Sequence, residues 1–355
     1  MPTPDSSSRL TARISEANSL TDQDLAAWGR LLRETVPDGN AFFSPAFVRA
    51  AGKAYGRVEV CFLEDKAGLA AVFPYQFSSA FAATMRAAVR VGEDMNDHFS
   101  VVARRDFRSN PHELLSSAKL NYLYFTHLDE SQLEHGLTGE IPSGGLRILL
   151  PNGGAAYLEE LRKSDPKFSK DTERRQRKAV QDLGPAQFCI EEADPATWLQ
   201  RVMTEKREQY LRTGKGDWLA LPGRRALLEC LAQSREPDCM PIVSTLMYGD
   251  KWAAIHFGLR SGKTLHYWFP VYNPALATFA PGRLLLHHVI MNAQHAGLEI
   301  IDRGAGESQA KRDFPSERRV FHSGTWHRPG LQSLTYRAYQ SAKWRMETLR
   351  QHKKD

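Results

Sequence analysis

Residues 264–313 constrain the fold more than any other part of the chain, because they combine a strand, a helix and a second strand. Residues 264–272 are rich in aromatic and β-branched side chains with rough alternation, which predicts a strand. Pro281-Gly282 then opens an amphipathic helix. Residues 298–302 form an apolar run that predicts a buried strand. A strand, a helix and a strand in this order imply a crossover connection, which is typical of an α/β sheet.

The turn at Pro281-Gly282-Arg283 has the features of a phosphate site. N–H groups in the first turn of a helix lack partners within the helix and lie at the positive end of its dipole. Arg283 adds a guanidinium that can pair with phosphate oxygens. Asp302 ends the second strand at the edge where open α/β sheets usually hold their ligands. An ordinary strand–helix–strand unit with a Pro-Gly turn fits the same pattern, so both interpretations remain open.

The composition is that of a soluble globular protein. The chain has 355 residues, of which 42% are hydrophobic and 25% are charged, so two domains of similar size are expected. No run approaches the ~20 apolar residues of a membrane helix. The polar N-terminal segment lacks the apolar stretch of a signal peptide. We therefore expect a cytoplasmic protein without membrane insertion.

Cysteine spacing and net charge narrow the class of ligand. The four cysteines are scattered without a Cys-x-x-Cys pair, which argues against a disulfide framework and against a metal site. The net charge of +6 suits a polyanionic small molecule such as coenzyme A, or RNA. Acidic residues interrupt the basic run at residues 170–178, and we interpret this run as a solvated helix face rather than a nucleic-acid site.

The two halves of the chain repeat the same order of elements. Predicted strands occupy residues 57–64, 68–77, 85–91, 121–126, 146–150, 187–191, 242–248, 252–259, 264–272, 298–302 and 319–323. Predicted helices occupy residues 22–35, 111–119, 154–163, 167–183, 197–212, 223–234, 281–296 and 331–352. Thr21, with Asp24 three residues on, is the predicted N-cap of the first helix.

Antiparallel strands followed by one crossover helix per half predict an α/β (α+β) fold that is built twice. We expect a disordered N-terminus over residues 1–20, a first lobe over residues 21–165 and a second lobe over residues 166–355. No close internal sequence repeat supports the doubling, which depends on element order alone.

Four segments carry a resemblance to a known family. They are HYWFPVYNPALATFAPGRLLLHHVIMNAQHAGLEIIDRGAGESQAKRDF at residues 266–314, AFFSPAFVRAAG at 41–52, VGEDMNDHFSVV at 91–102 and EKREQYLRTGKGDW at 205–218. Together they resemble the GNAT-type N-acyltransferases, in the branch that contains cellulose-biosynthesis and other exopolysaccharide-associated proteins. That branch has two tandem GNAT-like lobes with central mixed sheets, as the Fem-type peptidyltransferases do.

The resemblance implies acyl transfer from acyl-CoA, as a co-substrate, to an amine. In GNAT folds two neighbouring parallel strands separate, and the pantetheine lies along the freed backbone; here these would be residues 264–272 and 298–302. The acyl carbonyl would then lie near residues 268–270, and the pyrophosphate at residues 282–284. The implied cofactor-binding residues are Trp268, Phe269, Pro281, Gly282, Arg283 and Leu284. The turn Ala280-Pro281-Gly282-Arg283 has one glycine where most GNAT enzymes have more, and Fem-type relatives with similar turns accept aminoacyl-tRNA.

The chemistry of acyl transfer suggests roles for further residues. The attacking amine must be neutral, the oxyanion needs donors and the leaving thiolate needs a proton. The predicted catalytic residues are Asp302 as a base or amine-orienting carboxylate, Lys311 as a neutralising cation, and Tyr267 and Tyr272 as proton donors. The predicted acceptor-binding residues are Asp97, His98, Lys206 and Tyr210. A structural role also fits several of these residues. Asp302 can be paired with a loop N–H or with Arg303, and Lys311 can be a solvated loop lysine. The tyrosines can belong to the core, and Lys206 and Tyr210 can lie on a solvated helix face.

Three functions follow from these residues. The leading hypothesis is an N-acyltransferase that moves an acyl group from acyl-CoA to an amine of a small molecule or polysaccharide precursor, without a metal. An aminoacyl-tRNA-dependent, Fem-like transferase is an alternative, and only this one would bring a nucleic acid as a partner. A non-catalytic GNAT-like scaffold in exopolysaccharide biosynthesis is the third.

Overall fold

The structure is a computed structural model that describes residues 10–314 and 317–351. The strands in chain order are β1 (Thr11–Glu16), β2 (Val58–Asp65), β3 (Gly68–Gln76), β4 (Ala87–Val89), β5 (Val102–Ala103), β6 (Tyr122–Asp129), β7 (Ile141–Leu149), β8 (Ala186–Cys189), β9 (Met240–Tyr248), β10 (Lys251–Ser261), β11 (Thr264–Tyr272), β12 (Ile300–Ala305) and β13 (Glu317–His327). The α-helices are α1 (Asp22–Thr35), α2 (Pro45–Tyr55), α3 (Ala80–Thr84), α4 (Pro111–Ser117), α5 (Gly153–Ser164), α6 (Pro166–Leu183), α7 (Pro195–Arg212), α8 (Pro222–Ala232), α9 (Pro281–Asn292), α10 (Gln309–Arg312) and α11 (Leu331–Gln351).

The chain divides into two compact units, each assembled from separate segments. Over the described residues, the first unit contains residues 10–35, 55–143 and 321–351. The second unit contains residues 36–54, 144–314 and 317–320. The chain therefore changes unit within β7 and again within β13.

The two units have the same sheet topology. The strand order is β1-β2-β3-β4-β6-β13 in the first unit, with β5 beside β3, and β8-β9-β10-β11-β12-β7 in the second. Among the strand pairs that the described residues form within each unit, the parallel ones are β4–β6 and β11–β12. Each parallel pair is joined by a crossover, through α4 in the first unit and α9 in the second. The repeated fold expected from element order is confirmed.

The predicted boundary between the lobes at residue 165 differs from the division in the structure. β7 precedes that boundary but pairs antiparallel with β12, so that Ile148 lies opposite Ile301. Helix α5 also precedes it and packs on α9, where the Cβ position of Gly154 would lie 1.7 Å from the Ile290 carbonyl oxygen. Sheet pairing and helix packing, rather than order along the chain, assign these elements to the second unit.

The expectation of disorder over residues 1–20 is wrong for the part that the structure describes. β1 pairs antiparallel with β2 along its whole length, from Thr11 opposite Glu64 to Glu16 opposite Glu59. The strand is mostly exposed and polar, and therefore lacks the apolar alternation by which a strand is recognised in a sequence. Residues 1–9 lie outside the described residues.

Helix α9 buries the face that its sequence predicts. Leu285, Leu286, Val289, Ile290 and Ala293 are at most 2% exposed and belong to the core of the second unit. His287 and His288 are half-buried rather than solvated. The ring of His288 stacks on Phe188 with centroids 5.2 Å apart, and burial lowers the pKa of His288 to about 4.

None of the helices that the structure describes has both the length and the apolar character needed to cross a bilayer.

Candidate functional site

A cavity of about 390 Å³ lies in the second unit beside the point where β11 and β12 separate. The two strands pair in parallel over three positions, the last being His266 opposite Asp302. β11 then continues to Tyr272 without a strand paired to it on that side among the described residues. Tyr267, Pro270 and Tyr272 of this unpaired half line the cavity. Its other walls come from α7, from the first turn of α9, from β12 and from the segment that follows α10.

The first turn of α9 presents open backbone to the cavity. Ala280 adopts the left-handed conformation (φ 53°, ψ 53°), and its carbonyl accepts the N–H groups of Arg283 at 2.9 Å and Leu284 at 3.2 Å. Gly282 precedes these bonds, in the turn whose N–H groups a helix does not itself use. A Cβ on Gly282 would contact nothing nearer than Tyr272 Cδ1 at 4.0 Å. Space for a ligand therefore adjoins the backbone of Gly282.

Arg283 lines the cavity but is held by two carboxylates. Its guanidinium lies 3.0 Å from Asp171 and 3.5 Å from Asp313, and over the ring of Phe168 at 4.6 Å. Hydrogen bonds from Arg175 and then Arg174 lower the pKa of Asp171 to about 2, so this carboxylate stays charged. Arg283 is thus oriented by the protein rather than extended freely towards a ligand.

Lys206 of α7 reaches the unpaired half of β11. Its Nζ donates to the Pro270 carbonyl at 3.3 Å and lies 5.7 Å from the centre of the Tyr210 ring. Burial, together with the charge of Lys215, lowers the pKa of Lys206 to about 8. One turn further, Gln209 also lines the cavity, and its buried Oε1 has no hydrogen-bond partner among the described residues.

Tyr267 and Tyr272 both line the cavity, in different environments. Tyr267 is 7% exposed and stacks on His256 with ring centroids 3.9 Å apart. Its hydroxyl has no hydrogen-bond partner within the described part of the chain, and burial raises its pKa. Tyr272 is 37% exposed at the end of β11. A buried, protonated phenol therefore lies at the inner wall.

Asp302 and Lys311 do not line this cavity, and Asp302 lies within β12 rather than at its predicted end, because the strand continues to Ala305. The Asp302 carboxylate accepts from the Gly304 N–H at 2.8 Å and from Arg319 at 2.9 Å. Lys311 Nζ donates to the Ala305 carbonyl. Arg303, the residue after Asp302, lines the cavity and donates to the Lys311 carbonyl at 2.7 Å.

Five other predicted residues lie behind the cavity or in the other unit. Trp268 packs edge-on against Phe42 at 5.4 Å, while Phe269 and Leu284 are buried; these residues position β11 and α9. Asp97 and His98 belong to the first unit. There the buried ring of His98 packs edge-on against Phe321 at 5.2 Å.

The structure therefore brings six of the predicted site residues to one cavity: Lys206, Tyr267, Tyr272, Pro281, Gly282 and Arg283. The prediction missed Arg303 and Asp313 as cavity residues. The sequence contained a signal for Arg303. It follows Asp302 directly, and because successive side chains of a strand point to opposite faces, Arg303 was the candidate for the face that Asp302 does not occupy. Nothing local to Asp313 indicated its pairing with Arg283.

Residues 166–312 match the family model described as an acetyltransferase (GNAT) domain. Among solved structures, the chain is similar to FemX, with 9% sequence identity, a TM-score of 0.61, and coverage of 92% of this chain and 99% of FemX. It is also similar to a conserved protein of unknown function from Bacteroides thetaiotaomicron VPI-5482, with 11% identity, a TM-score of 0.53, and coverage of 86% of this chain and 98% of that protein. No curated protein sequence matches the chain significantly. The predicted fold class, α/β with GNAT-like lobes built on mixed sheets, is confirmed.

Proposed function

We propose that the second unit is an N-acyltransferase that binds acyl-CoA in the cavity and moves its acyl group to an amine. The observation that carries the proposal is the separation of β11 from β12 beside the open backbone of Gly282. An extended pantetheine can hydrogen-bond to the unpaired half of β11, and the first turn of α9 suits a pyrophosphate. The match of residues 166–312 to an acetyltransferase domain supports this use of the site.

The charges that line the cavity suit an anionic donor. Lys206, Arg283 and Arg303 contribute positive charge, whereas Asp313 is the carboxylate among the lining residues that the structure describes. Asp313 is itself paired with Arg283. Phosphate oxygens at this turn would receive the Gly282 N–H, the positive end of the helix dipole and a nearby guanidinium together.

Acyl transfer at this site would proceed by attack of a neutral amine on the thioester carbon. A C–N bond forms, the C–S bond breaks, the attacking nitrogen loses one proton and the departing thiolate takes one up. We assign this transfer to Tyr267, whose hydroxyl would give its proton to the thiolate and regain one from the nitrogen, because its buried phenol is protonated at neutral pH and has no hydrogen-bond partner among the described residues. Tyr272, more exposed, is the second candidate. Asp302, bonded to Gly304 within β12 and to Arg319 of β13, would position these strands rather than take a proton.

The acceptor we propose is an amine of a small molecule or polysaccharide precursor. This rests on the resemblance of the four sequence segments to the exopolysaccharide-associated branch. Its test is transfer from labelled acetyl-CoA to a panel of amino sugars, amino acids and polyamines. Transfer to amino acids but not to amino sugars would contradict the polysaccharide assignment.

The donor is tested with Gly282→Ala. The new methyl group meets no protein atom closer than 4.0 Å, so the fold should be retained while the space beside the turn is reduced. We expect wild-type protein to bind acetyl-CoA in isothermal titration and to gain thermal stability from it. G282A should bind about tenfold more weakly, which corresponds to ~1.4 kcal/mol.

The matched control is Gly216→Ala, because a Cβ at this glycine would meet no atom within 4 Å and the residue lies outside the cavity. G216A should bind acetyl-CoA as the wild type does. Equal binding by G282A and G216A would contradict a phosphate site at the Gly282 turn. Absence of any acetyl-CoA binding by the wild type would overturn the acyl-CoA donor and favour a non-catalytic scaffold.

An aminoacyl-tRNA donor is the second candidate, favoured by the single glycine of the α9 turn and by the likeness of the fold to FemX. Thermal shift with charged tRNA, uncharged tRNA and acetyl-CoA separates the donors. Stabilisation by charged tRNA alone would replace acyl-CoA in the proposal.

A further inference from the structure

Lys206 places an amine of the protein itself where the donor's thioester would lie. Its Nζ is 3.3 Å from the carbonyl of Pro270, on the half of β11 that pairs with β10 but is not among the positions paired with β12. Among the described residues that line the cavity, Lys206 is the single lysine. Its side chain is half-buried against the ring of Tyr210.

We propose that Lys206 accepts an acyl group from the thioester bound in the same cavity, so that the second unit acylates itself. This inference rests on the proposed function, since it needs an acyl thioester in the cavity. It names a reaction of the site that transfer to an external amine does not require. The substrate class is an acyl thioester with a short acyl chain, such as acetyl-CoA.

The reaction balances without any further reagent. The lone pair of the neutral Lys206 amine attacks the thioester carbon, a C–N bond forms and the C–S bond breaks. The nitrogen loses one proton, the departing thiolate takes up one proton, and the products are an amide on Lys206 and a free thiol.

The surroundings of Lys206 make the neutral amine more populated than in an ordinary lysine. Burial is the main cause of the lowered pKa, and Lys215 adds like-charge repulsion. With a pKa of about 8, the neutral fraction at pH 7 is on the order of a hundredfold above that of an ordinary lysine. The nitrogen also has a fixed neighbour in the Pro270 carbonyl, so its approach to β11 is set by the fold.

Acylation of Lys206 would alter the cavity in two ways. The side chain would lose its positive charge, leaving fewer cations for an anionic donor, and the added acyl group would occupy volume beside Pro270. We therefore expect the modified protein to bind acetyl-CoA more weakly. Self-acylation would then limit the activity of the site when acceptor amine is scarce.

The test is a time course of full-length protein with acetyl-CoA at neutral pH, followed by peptide mass spectrometry of every lysine. We expect Lys206 to be acetylated at least about tenfold faster than an exposed lysine such as Lys251, because of its larger neutral fraction. G282A should slow acetylation of Lys206 and leave Lys251 unchanged, since only the former needs bound donor. K206R should lose the fast phase in intact-mass measurements.

Two results distinguish failure of this inference from failure of the proposed function. If titration shows that acetyl-CoA binds but Lys206 is modified no faster than Lys251, the inference is overturned and the donor assignment stands. If G282A weakens binding but not the modification of Lys206, the acetylation comes from solution and the inference is again overturned. If acetyl-CoA does not bind at all, both fail.

Discussion

At the scale of single residues, burial decides which side chains of the second unit are charged. His256 is fully buried and stacked on Tyr267, and burial lowers the pKa of His256 to about 3. The same physical cause lowers the pKa of Lys206 and raises that of Tyr267. The cavity wall therefore contains a phenol that keeps its proton and a lysine that loses one easily, both set by desolvation.

His256→Phe should make stability less sensitive to acid. The pKa of His256 is about 3 in the folded state and ~6.5 in the unfolded state. The unfolded state therefore binds more protons between these values, and stability falls as pH decreases through this window, by up to ~1.4 kcal/mol per pH unit. Phenylalanine keeps the stacking surface but cannot be protonated. Urea unfolding at pH 7 and pH 5 should show a smaller loss for H256F than for the wild type.

The control for that measurement is His112→Gln, which removes an exposed histidine from the first unit. An equal loss of stability on acidification in H256F and in the wild type would show that His256 does not contribute.

At the scale of elements, the bounds of a helix or strand could be predicted from the sequence where the segment contains its own capping residues or periodicity. Helix α1 begins and ends where predicted, at Asp22 and Thr35. The Asp24 N–H donates to the Thr21 hydroxyl at 3.2 Å, and the Thr21 N–H donates to the Asp24 carboxylate at 3.0 Å. β11 also matches its predicted bounds. β1 was missed because pairing with β2, and not a pattern of its own, makes it a strand.

Gly154→Ala should destabilise the contact between α5 and α9. A Cβ at this position would lie 1.7 Å from the Ile290 carbonyl oxygen and 3.1 Å from Met291 Cα, and backbone atoms cannot move aside as a flexible side chain can. Overpacking of this kind costs about 1–3 kcal/mol or more. The midpoint of thermal unfolding should therefore decrease.

G216A is again the appropriate comparison, because its Cβ would meet no atom within 4 Å. If G154A and G216A unfold at the same temperature, α5 does not pack on α9 as closely as described.

At the scale of the whole molecule, each unit is completed by segments from distant parts of the chain. The second unit receives β7, α5 and residues 36–54 from before its predicted start. Within it, the Ala41 N–H donates to His266 at 3.2 Å, and Thr264 donates to the Asp38 carbonyl at 2.9 Å. Phe42 packs edge-on against Trp268. β11 thus depends on contacts with residues far away in sequence.

A fragment of residues 166–355 should not fold cooperatively. It lacks β7, so β12 would lose its antiparallel partner, and it lacks the contacts of Phe42 and Ala41 with β11. Urea denaturation followed by circular dichroism should give a broad, shallow transition, whereas the full chain should unfold steeply. A steep transition of the fragment alone would show that the predicted boundary at residue 165 is a true domain boundary.

The sequence by itself determined the strand–helix–strand order of residues 264–302, the buried face of α9 and the Gly282 turn, because periodicity and turn chemistry are local properties. Only the tertiary structure decided that Arg319 pairs with Asp302, that Arg283 lies between Asp171 and Asp313, and that β7 belongs with β12. In each of these contacts, the sequence around one residue contains no pattern that predicts its partner. They form because a sheet edge must be paired and a buried charge must find a partner, and folding alone brings those partners together.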